Sequence, residues 1–459
     1  MSKASTKPPS GMRDFLALDL LRRKYVISIV ERVYRAHGFT PLETPAIENL
    51  STLLGKYGEE GDQLLYRVLK RRDALTRVTE AAAEAGEPAA ESELANQGLR
   101  YDLTVPFARV VAQYGDLPRF YRRYQIQPVW RADRPGRGRF REFYQCDVDI
   151  TGTDSPLADA EVCSAVCTAL RTLGFEDFEV RLNHRELLRA MIRAAGIDAG
   201  DEATALVAVD KLDKIGEEGV LGELAERGVT AEAAKKLLSM MVVSESSTDT
   251  EILDGLAGAV DEAGARAVES LRELLQLTAS TPAGPHMRVM PALARGLSYY
   301  TGPIFEIAVP ELAGSMGGGG RYDDLVGLFG KREVPCVGFA LGLERILVVM
   351  DERNMYPPEL RGGPELMLCW MDVPLPRVME VATGLRKSGI AVEVYPEAAK
   401  LKKQLQYAAS PGVDARWVGI LGKDELNESR LTLKNLGSGE QVTVSIDAVA
   451  QTVRGSTGS

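Results

Sequence analysis

Apolar positions between residues 15 and 37 recur at helical spacing: Leu18, Leu21, Tyr25, Ile29 and Val33 share one face. Gly38 then stands where a helix C-cap glycine would. The next segment, FTPLETPAIE (Phe39–Glu48), contains Pro41 and Pro45. Proline inside an extended run predicts an edge strand or a boundary, and an edge strand after a long helix could form a dimer contact. Residues 70–97 are rich in alanine and glutamate (AAAEAGEPAAESELANQ) and read as a surface insertion, partly helical or mobile, without chemistry. Residues 100–150 alternate between strand-like runs and loops. The stretch 185–285 is rich in Ala, Leu and Glu, with helical periodicity and few strand signals, as a separate helical insert would be. Residues 291–349 return to strands, glycines and one apolar helix. Beyond Pro357–Pro364 come LMLCWM, AVEVY, WVGILG, RLTLKNL and QVTVS, separated first by helices and later by turns. That pattern predicts a small α/β domain over 365–450.

Length and composition narrow the class. A chain of 459 residues exceeds the roughly 250–300 that one core sustains, so two or three domains are expected. No run of about 18 apolar residues is present to span a membrane, and MSKASTKPPSGMRDF lacks the apolar centre of a signal peptide. The five cysteines (Cys146, Cys163, Cys167, Cys336, Cys369) include no CxxC pair, which fits free thiols in a reducing cytoplasm. Cys163 and Cys167 stand four apart on a helix-like stretch and read as small buried side chains rather than a metal pair. His37, His184 and His286 lack HExxH-type spacing, which excludes a zinc hydrolase of that kind, and no metal site made of side chains is expected.

The net charge of −10 argues at first against nucleic acid. Fields fade within roughly 8–10 Å, however, so what counts is whether basic residues cluster. They do: Arg119–Arg141, RFYRRYQIQPVWRADRPGRGRFR, holds eight arginines against the single acid Asp133. Phe120, Tyr121, Tyr124, Trp130 and Phe140 are interleaved. Arginine suits planar recognition of phosphate and stacking on bases; the alternative is a solvated basic face. No GxxxxGK[ST] loop, strand–GxGxxG–helix unit or GxSxG elbow occurs, so a bound nucleotide would be held by arginines and backbone.

Three segments could build such a site. In the first, Arg131 and the loop to Arg141 precede Gln145, Asp147 and Asp149. These three alternate, so in a strand they share one face with Phe143, while Tyr144, Cys146 and Val148 take the other. Polar side chains aligned on a central strand suggest the floor of a polar pocket. The second is ARGLSYYTG (Ala294–Gly302), where Arg295, Tyr299 and Tyr300 precede the strand PIFEIAV; a strand edge with aromatic core residues is the other reading. The third is GGGGRYDDL (Gly317–Leu325) followed by VPCVGFALGLERIL (Val334–Leu347). Its glycines permit close backbone approach to a ligand, or form a hairpin tip. Gly342 and Arg345, near the start of an apolar helix, would put a guanidinium at the rim of a sheet.

In this order the segments resemble the class II aminoacyl-tRNA synthetases, and specifically the histidyl-tRNA synthetase family, over nearly the whole chain. FTPLETPAIE resembles motif 1, VWRADRPGRGRFREFYQCDVDITG motif 2 and GFALGLERI motif 3. LRYDLTVPFAR (Leu99–Arg109) and LARGLSYYTG resemble the segments that mark the histidine enzymes. The HIGH and KMSKS motifs of the other synthetase class are missing. The resemblance implies an α+β fold: a class II antiparallel sheet flanked by helices, a helical insert and a C-terminal α/β anticodon-binding domain. On that plan residues 1–184 and 286–355 form the catalytic domain, 185–285 the insert and 365–459 the anticodon-binding domain.

It also implies roles. Asp102, Thr104 and Gln145 would hold the histidine ammonium; Asp149 and Tyr300, with Tyr299 beside them, would line the imidazole pocket. Arg131 would bind the ATP α-phosphate and the histidine carboxylate. Arg295 would be the family's distinctive arginine at the α-phosphate, and Arg345 would stack on adenine or grip the ATP tail. Arg139 and Arg141 belong to the motif 2 loop that faces phosphates and the tRNA end. Lys400, Lys402, Lys403, Gln404 and Gln406 are candidate anticodon contacts, with a lysine-rich solvated turn as the alternative. ATP, Mg²⁺, L-histidine, tRNA(His) and a cytoplasmic homodimer are the implied substrates, cofactor and assembly. Two departures stand out. Ser298 replaces an aspartate found in many relatives, and Asp102 and Asp149 replace the glutamates of another branch. The rival reading is a non-catalytic paralogue that regulates ATP phosphoribosyltransferase; such paralogues normally lack the anticodon domain and the distinctive arginine.

Overall fold

Glu142–Thr151 is a strand buried on both faces: Cys146, Val148 and Ile150 turn one way, Gln145, Asp147 and Asp149 the other. The computed structural model describes residues 5–86, 88–244, 246–294, 299–312, 314–330 and 332–455. Among the described residues the strand is third in an eight-stranded sheet. The order is Thr40–Pro41, Arg122–Trp130, Glu142–Thr151, Cys336–Gly342, Gly317–Arg321, Pro303–Ala308, Glu179–His184, Met287–Val289. The inner pairs are antiparallel; the two outermost strands pair in parallel.

The glycine run is the fifth strand of this sheet, which settles one sequence ambiguity against a hairpin tip. Gly319 lies between Phe339 and Phe305 in register, and those rings stack across it with centroids 5.5 Å apart. A Cβ on Gly319 would come within 2.2 Å of the Gly338 carbonyl oxygen, so no larger residue fits. The apolar side of the sheet is covered by helix Pro156–Thr172, which starts at Ser155, whose Oγ accepts from the Leu157 amide at 3.3 Å. Cys163 and Cys167 are fully buried in it, as small core side chains.

Two compact units emerge: Met1–Arg13 with Val26–Met355, and Asp14–Tyr25 with Tyr356–Ser459. The sheet and the helices of 185–285 belong to the first. A three-stranded sheet in this unit has Ala95–Leu99 at its centre, between Ile47–Asn49 and Arg67–Leu69. The expected insertion must therefore end before Ala95. Helix Asp73–Ala85 is a surface element with none of its residues buried, but Ala95 is 2% exposed and Gly98 lies under Leu50 and Leu53.

The second unit has, among the described residues, a five-stranded sheet ordered Val392–Val394, Leu366–Trp370, Trp417–Leu421, Arg430–Asn435, Gln441–Ser445. Its first three strands are parallel and helices cover both faces, which is why LMLCW is buried throughout. Gln404 lies inside this unit, fully buried. Its amide accepts from the Trp370 backbone N–H at 3.0 Å and donates to the Trp370 and Ala399 carbonyls, each at 2.8 Å. Its assignment as an anticodon contact is thus corrected: both ends of the side chain are used in holding helix Leu401–Ala408 to the sheet. Lys400, Lys402, Lys403 and Gln406 are exposed. Among the described residues no helix is long and apolar enough to cross a membrane.

Candidate active site

Residues without bulk make the floor. Opposite Gln145, Asp147 and Asp149 the next strand sets Gly342, Ala340 and Gly338. Gly318 and Gly320 extend the Asp147 and Asp149 rows across the strand beyond. A Cβ at Gly338 would lie 1.9 Å from Asp149 Oδ1, and one at Gly320 3.0 Å from the Tyr300 ring. Bare backbone here lets the Asp149 carboxylate and the Tyr300 ring lie flat on the sheet.

On the opposite flank Arg123, Gln125 and Gln127 stand beside Asp149, Asp147 and Gln145. The fully buried Arg123 guanidinium lies 2.8 Å from Asp149 Oδ2 and 3.8 Å from Asp147 Oδ2. It also donates to Gln125 Oε1 at 3.0 Å. Tyr322 donates its phenol to the other Asp149 oxygen. Burial pushes the Asp147 and Asp149 carboxyls above their ordinary range, while the Arg123 charge pulls both down.

Asp102 forms the facing wall. It precedes helix Thr104–Gln113 and accepts the Val105 amide on Oδ1 at 3.0 Å. Tyr57 adds its phenol to Oδ1 at 3.3 Å, and Tyr299 donates to Oδ2 at 2.9 Å. Burial raises the Asp102 pKa; the Val105 amide, the Arg131 charge and the two phenols oppose that rise. Thr104 lies beside the Tyr299 phenol and opposes the rise that burial causes there. Burial raises the Tyr57, Tyr299, Tyr300 and Tyr322 phenols, so all four stay protonated donors at neutral pH.

Arginines border the Gln145 end. Arg131 donates through Nε to the Tyr101 carbonyl at 3.1 Å, with its guanidinium 4.2 Å from the Tyr101 ring centroid and 5.2 Å from that of Phe143. Arg345 starts the helix Leu343–Glu352 beside Gly342, the register partner of Gln145, and donates to the Ser315 and Gly138 carbonyls. Gly138 belongs to the arginine-rich loop, so Arg345 ties that loop to the floor. Arg139 is 56% exposed on the loop, 3.9 Å from Asp133. Arg141 turns its Nε to the Asp133 carbonyl at 3.0 Å and is a brace of the loop.

The family model described as histidyl-tRNA synthetase matches residues 91–346, and one described as an anticodon binding domain matches 371–456. The histidine–tRNA ligase of Cytophaga hutchinsonii is 41% identical over 445 residues, covering 96% of this chain and 98% of its own.

The chain belongs to the histidyl-tRNA synthetase family.

A crystal structure of histidyl-tRNA synthetase from Nostoc sp. PCC 7120 aligns with a TM-score of 0.78 at 29% identity, covering 99% of this chain and 100% of that one. An ATP phosphoribosyltransferase regulatory subunit/histidyl-tRNA synthetase from Bacillus halodurans C aligns at 0.70 with 20% identity, covering 92% and 98%, a likeness of fold alone.

Of the residues picked out by resemblance to histidyl-tRNA synthetases, Asp102, Thr104, Tyr299 and Tyr300 converge on one wall, and Gln145 and Asp149 on the floor. Arg131 and Arg345 border it. Arg295 and Ser298 lie outside the described residues. Sequence reasoning missed Arg123, Tyr322 and Tyr57. Arg123 was discoverable, because Arg123, Gln125 and Gln127 alternate as Gln145, Asp147 and Asp149 do. Tyr322 continues the face of Gly318 and Gly320 by the same count. Tyr57 follows an irregular turn and carries no periodic signal.

Proposed function

We propose that this chain is a histidine–tRNA ligase. It joins L-histidine to ATP as histidyl-adenylate, releasing pyrophosphate, and then passes the histidyl group to the 3′ end of tRNA(His). The observation that carries this reading is the pairing of two buried carboxyls, Asp102 and Asp149, each served by phenols, around a glycine floor. Such an arrangement suits a small ligand with donors at both ends. An apolar side chain there would offer Asp149 no donor beyond Arg123 and Tyr322, which is how the site would reject competitors.

In this reading Asp102, Thr104 and Gln145 take the ammonium, while Asp149 and Tyr300, with Tyr299, take the ring. The histidine carboxylate attacks the α-phosphorus in line as pyrophosphate leaves. Arg131 holds both reacting groups, and Arg295 joins it at the α-phosphate, where negative charge grows. Arg345 holds the adenine or the ATP tail; Arg139 and Arg141 serve the loop that meets phosphates and the tRNA end. In the transfer step no side chain is needed as base, because the adenylate phosphate can accept the tRNA hydroxyl proton. Among the described residues no three His, Cys, Asp or Glu side chains gather as a metal site. Mg²⁺, which the resemblance implies, would help neutralise the phosphate charge of ATP.

The second unit, through Lys400, Lys402 and Lys403, would read the anticodon, and its match to an anticodon-binding family favours the ligase over the regulatory paralogue. Thr40–Pro41, on the edge of the large sheet, would form the homodimer contact. The five buried thiols suit the cytoplasm. Asp149→Ala should raise the KM for histidine far more than the KM for ATP in pyrophosphate exchange; equal changes in both would refute the pocket.

A further inference from the structure

We propose that Arg123 sets the charge of the ring-binding end of this pocket: its one guanidinium serves Asp149 and leaves Asp147 a neutral acid, so that the floor presents a single carboxylate. The inference rests on the reading of Asp149 as the imidazole partner.

Two carboxyls two residues apart on one strand face share one cation. Their surroundings differ. Asp149 has the guanidinium at 2.8 Å on one oxygen and the Tyr322 phenol on the other. Asp147 has the same guanidinium only at 3.8 Å and no phenol; one oxygen of each carboxyl, Oδ1 of Asp147 and Oδ2 of Asp149, is buried without a hydrogen bond, but that of Asp149 faces the guanidinium at 2.8 Å. Asp147 is 1% exposed. Along its own strand it meets Gln145 and Asp149; across the sheet it faces Gln125 and Arg123 on one side and Ala340 on the other. Beyond these, Asp102 adds negative charge and Arg131 positive, and the buried Arg100 adds positive charge that Glu43 and Glu48 meet before Asp147 does. A buried carboxylate lacking donors is costly, whereas a buried carboxylic acid is an ordinary small polar group. With Arg123 closest to Asp149 and Arg100 met first by Glu43 and Glu48, Asp147 is the carboxyl left to keep its proton. Burial accordingly lifts the Asp147 carboxyl well above its ordinary value, and lifts Asp149 as well against stronger opposing partners.

Arg123 also lies 4.4 Å from the Phe107 ring centroid and donates to Gln125, so its position is fixed by groups that do not touch the ligand. It is a positioning residue, acting through Asp149.

The test is pyrophosphate exchange with the KM values for histidine and ATP measured separately, alongside thermal melts. Arg123→Met removes the charge while keeping the length; histidine KM should rise roughly thirtyfold or more, with ATP KM within about threefold. Arg123→Lys, which keeps the charge, should recover most of that loss. Asp147→Asn supplies a neutral group of the same shape, and its effect on histidine KM should be about ten times smaller than that of Arg123→Met. Comparable effects from Asp147→Asn and Arg123→Met, or a wild-type histidine KM in Arg123→Met, would overturn the proposal. If Arg123→Met does not fold, Asp147→Asn decides: a rise of roughly thirtyfold shows that residue 147 must be ionised and overturns it, and a rise of about threefold or less supports it. Failure of the pocket reading looks different, because then Asp149→Ala itself loses its selectivity for histidine over ATP.

Discussion

Tyr299 donates its phenolic hydrogen to Asp102 Oδ2 at 2.9 Å, joining two residues 197 positions apart. This bond stitches the LRYDLT segment to the SYYTG segment and is one of three donors that favour the ionised Asp102. Tyr299→Phe removes a donor to the charged form, so the Asp102 pKa, already raised by burial, rises further. The acid limb of the kcat/KM profile for histidine should move upward by about one pH unit. A limb that stays in place would show that Asp102 is not the group that binds the ammonium.

Gly338→Ala tests the floor. The new methyl would fall 1.9 Å from Asp149 Oδ1, so the carboxylate must move. A displacement on the order of 1 Å at such a group costs about a hundredfold. That loss should appear in histidine KM, with ATP KM little changed. An unaltered histidine KM would mean the carboxylate is free to move without consequence.

The second unit separates a structural residue from surface ones. Gln404→Ala leaves the Trp370 N–H and two carbonyls without their partner and should cost about 1–3 kcal/mol, read as a lower melting temperature of that unit. Lys402→Ala and Lys403→Ala, both at exposed positions, should weaken tRNA charging while leaving melting unchanged. The opposite pattern would return Gln404 to the tRNA surface.

His184 gives a pH dependence of stability. Its ring caps helix Arg185–Ala194, Nδ1 accepting from the Glu186 amide at 3.1 Å. Burial lowers its pKa from 6.5 to about 4. The folded value is thus below the unfolded one: above about pH 6.5 both states are neutral and nothing is lost. As pH falls from there toward 4, the unfolded chain takes up a proton that the fold refuses, and roughly 2–3 kcal/mol is lost. His184→Asn keeps an acceptor for the helix cap and should flatten that acid slope. An unchanged slope would place the sensitivity elsewhere.

Much of this molecule is legible from periodicity and the rest is not, for physical reasons. Alternation exposes Gln145, Asp147 and Asp149 because polar residues have no other cause to repeat every second position in a buried strand. The same count applied to Arg123, Gln125 and Gln127 would have found the counter-ion, but a dense arginine cluster masks it. LMLCW reads correctly as a strand because both of its faces are covered. Ala95–Leu99 is misread because Ala, Asn, Gln and Gly have low strand propensity, and only its two neighbours make it a centre strand. Gln404 misleads because a glutamine beside lysines looks like surface; the carbonyl and amide it needs belong to residue 370, which no local pattern reveals.

On the proposed reading, a pocket of buried carboxyls and phenols selects one amino acid for adenylation. ATP–pyrophosphate exchange with the purified chain, run in parallel with each of the twenty amino acids, tests it most directly. Exchange is expected with histidine, and background with the other nineteen. Exchange supported by a different amino acid, or by none, would contradict it.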